Sequence, residues 1–150
     1  MCGIVGAKGQ AFTTHIKEAT DLLQHRGPNA QQTVQLGEWA FGHARLSIID
    51  TSSGANQPMQ AGTLTLVFNG EIYNYRNLRN TLEKKGHIFE ASSDTEVLLK
   101  GYAEWGRDVL QKLHGFFAFA VYDAYDKSVF LARDRMGIKP LYYYPGKENF

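Results

Sequence analysis

GFFAFAVYD, residues 115–123, is apolar on both of its alternating faces, and the turn AYDKS leads it back into SVFLARD, residues 128–134. A strand with one wet face alternates apolar and polar residues; one that is apolar throughout is covered on both sides. This hairpin therefore predicts a sheet buried between two layers. Strand-like runs also occupy Gly3 to Ala7, QQTVQL at 31–36, WAFGHARLSII at 39–49, TLTLVFN at 63–69 and LYYYP at 141–145. The second and third of these join at Gly37 and Glu38 as another hairpin. Three helices are expected: one capped by Thr13 or Thr14 with Ile16, Ala19, Leu22 and Leu23 on one face, one over roughly Tyr75 to Lys85, and one capped by Ser93 or Asp94 with Leu98, Tyr102 and Trp105 on one face. DTSSGANQPMQAG, 50–62, reads as a loop. Hairpins near both ends with helices between them argue for an α+β fold, antiparallel sheets packed together and covered by helices.

At 150 residues the chain is one domain in size, enough to bury about 68–70% of its unfolded surface without disulfides or metals. Its 16 Lys plus Arg against 15 Asp plus Glu give no field that would favour nucleic acid or an anionic membrane. The longest apolar run, 115–122, is too short to cross a bilayer. One cysteine forms no internal disulfide, and MCGIVGAKG lacks the pattern of a secretory signal, so a cytoplasmic protein is expected. GKENF ends where a turn would hand on to another strand, which suggests a domain spanning 1–150 and truncated at its C-terminal end.

Glycines at 3, 6 and 9 match neither a dinucleotide fingerprint nor a phosphate loop, and the five histidines have no metal-ligand spacing, so no metal is expected. Cys2 supports two readings. It is a small buried hydrophobe in a first strand, or, once Met1 is removed, a thiol and a free α-amine on one residue. The α-amine titrates near 7.7–8.0, so it can take the thiol proton near neutral pH. Asn69-Gly70 reads locally as a hairpin turn, Asp94 as a helix cap and Arg45 as one half of a surface ion pair.

MCGIVG, LQHRGPNA, GHARLSIID, NQPM, FNGEIYNY, SSDTEVLL, FFAFAVYD and LARDRMGIKPLYYY occur in an order that resembles the class II, N-terminal nucleophile glutamine amidotransferases. RLSIID and NGEIYN are most similar to the glutaminase domain of glutamine-hydrolysing asparagine synthetase. The resemblance implies a four-layer αββα sandwich and hydrolysis of L-glutamine to glutamate and ammonia. It casts Cys2 as nucleophile and Asn69 and Gly70 as the oxyanion hole. It assigns the substrate carboxylate to Arg45 with Leu46, Ile48 and Ile49 around it, and the substrate ammonium to Asp94; by charge alone Glu71 can join Asp94 in holding that ammonium. His25, Arg26 and Gly27 are expected to shape a nearby loop, and Arg133, Asp134 and Arg135 to be structural. No cofactor is implied for this domain; ATP and magnesium belong to an absent C-terminal synthetase domain that would receive the ammonia. A homodimer stays open. Asn29 departs from the acidic residue usual in the family. The rival is a catalytically silent module of the same fold, serving assembly or glutamine sensing.

Overall fold

In the computed structural model the described residues are 2–47 and 53–146. Two antiparallel sheets lie face to face. The first, in the order β1-β3-β2, comprises β1 (Gly3–Lys8), β2 (Ala30–Leu36) and β3 (Trp39–Arg45). The second, in the order β4-β5-β6-β7, comprises β4 (Met59–Ala61), β5 (Leu64–Ile72), β6 (Gly115–Asp123) and β7 (Ser128–Arg133). Helix α1 (Gln10–Thr13) leads into α2 (Ile16–Asp21), which packs on all three strands of the first sheet. Helices α3 (Tyr75–Glu83) and α4 (Asp94–Trp105) cover the second. The layers run αββα, as expected.

The doubly apolar β6 explains this layering. Phe117, Phe119 and Val121 point into a core shared with Leu66, Leu82 and Leu98, under α3 and α4. Ala120 and Tyr122, on the opposite face, meet Phe41 and Val67 between the sheets. Fully burying a leucine or phenylalanine contributes about 1.5–3 kcal/mol, so neither face of this strand can be left wet. The same alternation runs through β5: Leu64, Leu66 and Phe68 face the helices, and Val67 faces the first sheet.

Several local expectations are corrected. No threonine caps α2: Thr13 is buried within α1, the Thr14 hydroxyl donates back to the Gln10 carbonyl, and the chain breaks at His15. Leu22 then falls in the following turn, 78% exposed, off the predicted apolar face. The 50–62 loop contains β4, because Met59 is drawn into the core and its segment pairs with β5. β3 ends at Arg45, before LSII. LYYYP forms no strand; Tyr142, Tyr143 and Tyr144 are exposed. No helix among the described residues is long and apolar enough to cross a membrane.

Candidate active site

The sheets position one cleft between the start of β1 and the ends of β3 and β5. Cys2 immediately precedes Gly3, which pairs with Ala44 on β3, so the antiparallel register brings the first residues of the strand beside Arg45 and Leu46. The Leu46 N–H donates to Cys2 Sγ at 3.3 Å, and the thiol approaches the Leu46 carbonyl at 3.6 Å. Cys2 is a free, half-buried thiol. Its environment is polar backbone at a cleft wall, which separates it from an inert core cysteine.

The segment after β3 is pinned by the HRGPNA stretch. Gly27 lies so close to β3 that a Cβ there would sit 2.2 Å from the Ala44 carbonyl oxygen. Asn29 N–H donates to the Arg45 carbonyl at 3.0 Å, and its side-chain oxygen accepts from Ser47 N–H at 3.0 Å. One acceptor oxygen is all this contact uses, and the asparagine supplies it. His25 is exposed, its ring 3.0 Å from the Leu22 carbonyl, and takes no part in the cleft wall.

Asn69 and Gly70 are not in a turn. They lie within β5, paired with Ala118 and Phe117 of β6, and the strand continues to Ile72. The hairpin-turn reading is thereby excluded. Asn69 shares the face of Val67, so its side chain enters the space between the sheets at the level of the cleft; it is 6% exposed. At Gly70 a Cβ would stand 2.2 Å from the Phe116 carbonyl oxygen, which admits no side chain.

The N–H directions along β5 follow from pairing. Phe68 N–H donates to Gln57 Oε1 at 2.6 Å and Ile72 N–H to Asp94 Oδ2 at 3.0 Å, both on the side away from β6. Because strand N–H groups alternate with period two, the Gly70 N–H points the same way. β4 pairs only as far as Met59↔Leu66, so beyond that point this edge of β5 opens into the cleft.

Charged groups of opposite sign line the same cleft. Arg45 is buried and its Nη1 donates to Asn56 Oδ1 at 2.6 Å, which removes the surface-ion-pair reading. Asp94 is also buried. Ser93 is the α4 cap, its Oγ accepting from Glu96 N–H at 3.2 Å, so Asp94 is released from capping and bonds Ile72 instead. Burial pushes the Asp94 pKa up to about 6 against the opposing hydrogen bonds from Ile72 and Thr95, and Glu71 adds to the rise. A buried carboxyl so poised favours a cation beside it.

All seven of the described residues singled out from the sequence (Cys2, Arg45, Leu46, Asn69, Gly70, Glu71 and Asp94) line this cleft, which is open to solvent. Met1, Ile48 and Ile49 lie outside the described residues. Sequence reasoning missed Gln57, Thr95, Phe116 and Lys139, which also line it. Lys139 is 2% exposed, with Nζ 4.7 Å from the Phe116 ring centroid. Burial, and then Arg26, hold its ammonium below the usual lysine value, while Cys2, Asp134 and Glu71 oppose the fall. Its position depends on Asp134, whose carboxylate accepts from the Phe117, Ile138 and Lys139 N–H groups. Burial alone would raise the Asp134 pKa, yet these bonds, with Lys139 first, hold it low, so Asp134 is structural as expected. His43, 1% exposed, lies near the Phe68 backbone; burial lowers its pKa to about 4, which keeps the ring neutral at pH 7. Among the described residues no group of three or more His, Cys, Asp or Glu could hold a metal ion.

Solved structures share this architecture. Glutamine phosphoribosylpyrophosphate amidotransferase from B. subtilis, complexed with ADP and GMP, superposes with a TM-score of 0.80 over 99% of this chain and 40% of that one, at 23% identity. The allosteric regulatory enzyme of purine biosynthesis gives 0.72 over 93% and 38%, at 24% identity. These likenesses, with the two sheets and their helices, show a shared αββα fold.

The glutamine amidotransferase domain family matches residues 1–150, and the chain belongs to it. It is 43% identical to glutamine-hydrolyzing asparagine synthetase 3 of Bacillus subtilis (strain 168), over 95% of this chain and 25% of that protein. It is 39% identical to glutamine-hydrolyzing asparagine synthetase 1 of Arabidopsis thaliana, over the same shares. The chain thus spans about a quarter of the length of these relatives.

Proposed function

We propose that this domain hydrolyses the side-chain amide of L-glutamine to glutamate and ammonia, with Cys2 as nucleophile after removal of Met1. The observation that carries the reading is the convergence of Cys2 Sγ, the open edge of β5 at Asn69 and Gly70, and the opposed charges Arg45 and Asp94 on one cleft. Glutamine presents a carboxylate, an ammonium and an amide, and the cleft offers a complement to each.

In this mechanism the α-amine of Cys2 takes the thiol proton and the thiolate attacks the amide carbon. The oxyanion that forms meets Asn69 Nδ2 and the Gly70 N–H, donors already directed at it. The protonated amine hands its proton to the departing ammonia, leaving a thioester that water cleaves to glutamate. Arg45, fixed by Asn56, binds the α-carboxylate through its planar fork. Asp94, with Glu71 beside it, holds the α-ammonium. A free thiol of this kind suits a reducing cytoplasm.

The ammonia would pass to a synthetase region of the longer protein, as the relatives' names and the quarter-length match suggest, with asparagine as product. ATP and magnesium would act in that region. The direct test is intact mass before and after incubation with an electrophilic glutamine analogue, alongside ammonia release. The expected result is loss of Met1, one adduct on Cys2 and release of ammonia. A folded chain that keeps Met1, takes no label and releases no ammonia overturns the reading in favour of a silent module.

The Asp94 shift gives a pH prediction whose sign can be worked out. With the pKa raised from 3.8 to about 6, the empty domain holds Asp94 protonated below that value, and stability falls as pH rises between the two values. A substrate ammonium needs the carboxylate. Glutamine affinity, measured directly in Cys2→Ala so that the nucleophile's own titration is silent, should therefore weaken as pH drops below about 6, approaching tenfold per unit. Binding should release a proton in that range. Asp94→Asn should bind weakly and lose this dependence; a wild-type-like pH profile in Asp94→Asn would remove Asp94 from ammonium binding.

A further inference from the structure

Of the NQPM motif at 56–59 the chemistry above uses only Asn56, yet the motif touches three separate pieces of the cleft. Asn56 fixes Arg45. Gln57, 5% exposed, accepts from Phe68 N–H on β5 at 2.6 Å and donates through Nε2 to Thr95 Oγ1 at 3.2 Å, at the start of α4. We infer that Gln57 is a positioning residue for the oxyanion hole, tying β5 to the N-terminus of α4 so that the Gly70 N–H and Asn69 are held toward the reacting carbonyl.

The register shows why a side chain is needed here. Met59 pairs with Leu66, so residue 57 would be the next ladder partner of Phe68 if β4 continued. It does not continue: β4 begins at Met59, immediately after Pro58. The Gln57 amide replaces the missing strand at one position and leaves the next N–H on that edge, Gly70, open to the cleft. Two residues further along, Asp94 holds Ile72 N–H in the same way. The Gly70 N–H thus stands between two anchored neighbours, both fastened to the first turn of α4. An oxyanion donor a fraction of an ångström out of place loses much of its effect, because its advantage is that it needs no reorganisation during the reaction.

This inference rests on the glutaminase reading, and its test separates the two. In the intact chain, Gln57→Leu removes both bonds at similar volume, while Thr95→Val removes only the hydroxyl that Gln57 reaches and Thr95→Ser keeps it. Rates are taken per active site, counted by the electrophilic analogue, so partial unfolding does not enter. Gln57→Leu is expected to lower kcat about tenfold or more with KM for glutamine changed less than about threefold. It should weaken by a similar factor the aldehyde analogue of glutamine, whose adduct with Cys2 carries the oxyanion. Thr95→Val should follow in the same direction and Thr95→Ser should restore most of the loss; this pair decides the matter if Gln57→Leu does not fold. Wild-type kcat and aldehyde affinity per site in Gln57→Leu, or in Thr95→Val, would overturn the inference while leaving the glutaminase reading intact. A wild-type chain that neither takes label nor releases ammonia would overturn both.

Discussion

Cys2→Ala is expected to lower ammonia release from glutamine by on the order of 10⁴-fold or more, while glutamine still binds. The thiol is the only group in the cleft proposed to form a bond with substrate, whereas the amino-acid end is met by Arg45 and Asp94, and the substitution touches neither. The geometry favours a clean separation of the two effects. Cys2 Sγ hydrogen-bonds the backbone of Leu46. Its replacement removes one sulfur at a half-buried position, a small loss of packing. Binding is read by calorimetry and turnover by ammonia release. Undiminished turnover in Cys2→Ala would sink the mechanism; lost turnover together with lost binding would indicate a fold defect and direct the same test to Cys2→Ser.

Asn69→Ala should lower kcat by about 10²- to 10³-fold with little change in KM. Asn69 Nδ2 is the side-chain half of the proposed oxyanion hole, and a donor of this kind acts on charge that exists only in the transition state. The other half, the Gly70 N–H, is untouched. Gly70 itself offers no useful substitution: a Cβ 2.2 Å from the Phe116 carbonyl would force β5 away from β6 and disrupt the sheet. The aldehyde analogue of glutamine supplies a second readout, since its affinity should fall in parallel with kcat. A large rise in KM at unchanged kcat would instead make Asn69 a ground-state binding residue.

Most of the layering was legible in the chain because it follows from alternation. β6 is apolar on both faces and had to be covered twice, and WAFGHAR and LTLVF each carry one face toward the other sheet. Helix α4 was legible from its stripe and from a cap at Ser93 or Asp94, of which the structure selects Ser93. The N-terminal helix formed where it was expected but without the expected cap, since Thr13 is buried within α1 and Thr14 bonds locally to Gln10. The tyrosines at 142–144 show the converse: a strand-like composition there forms no strand, and all three side chains are exposed.

By itself the sequence determined antiparallel sheets layered with helices, most of the strands that build them and the residue types of the cleft, including a cysteine at position 2, while the αββα arrangement was what the family resemblance implied. It did not determine that Asn69-Gly70 lies inside a ladder and not in a turn. It did not show that Gln57, Thr95 and Lys139 close the same cleft. Those outcomes belong to the tertiary structure, for a physical reason. Which strand N–H groups stay open depends on where the neighbouring strand stops, and β4 stops at Met59. Local preference sets the alternation of side chains; only long-range pairing decides which backbone donors are left for a substrate.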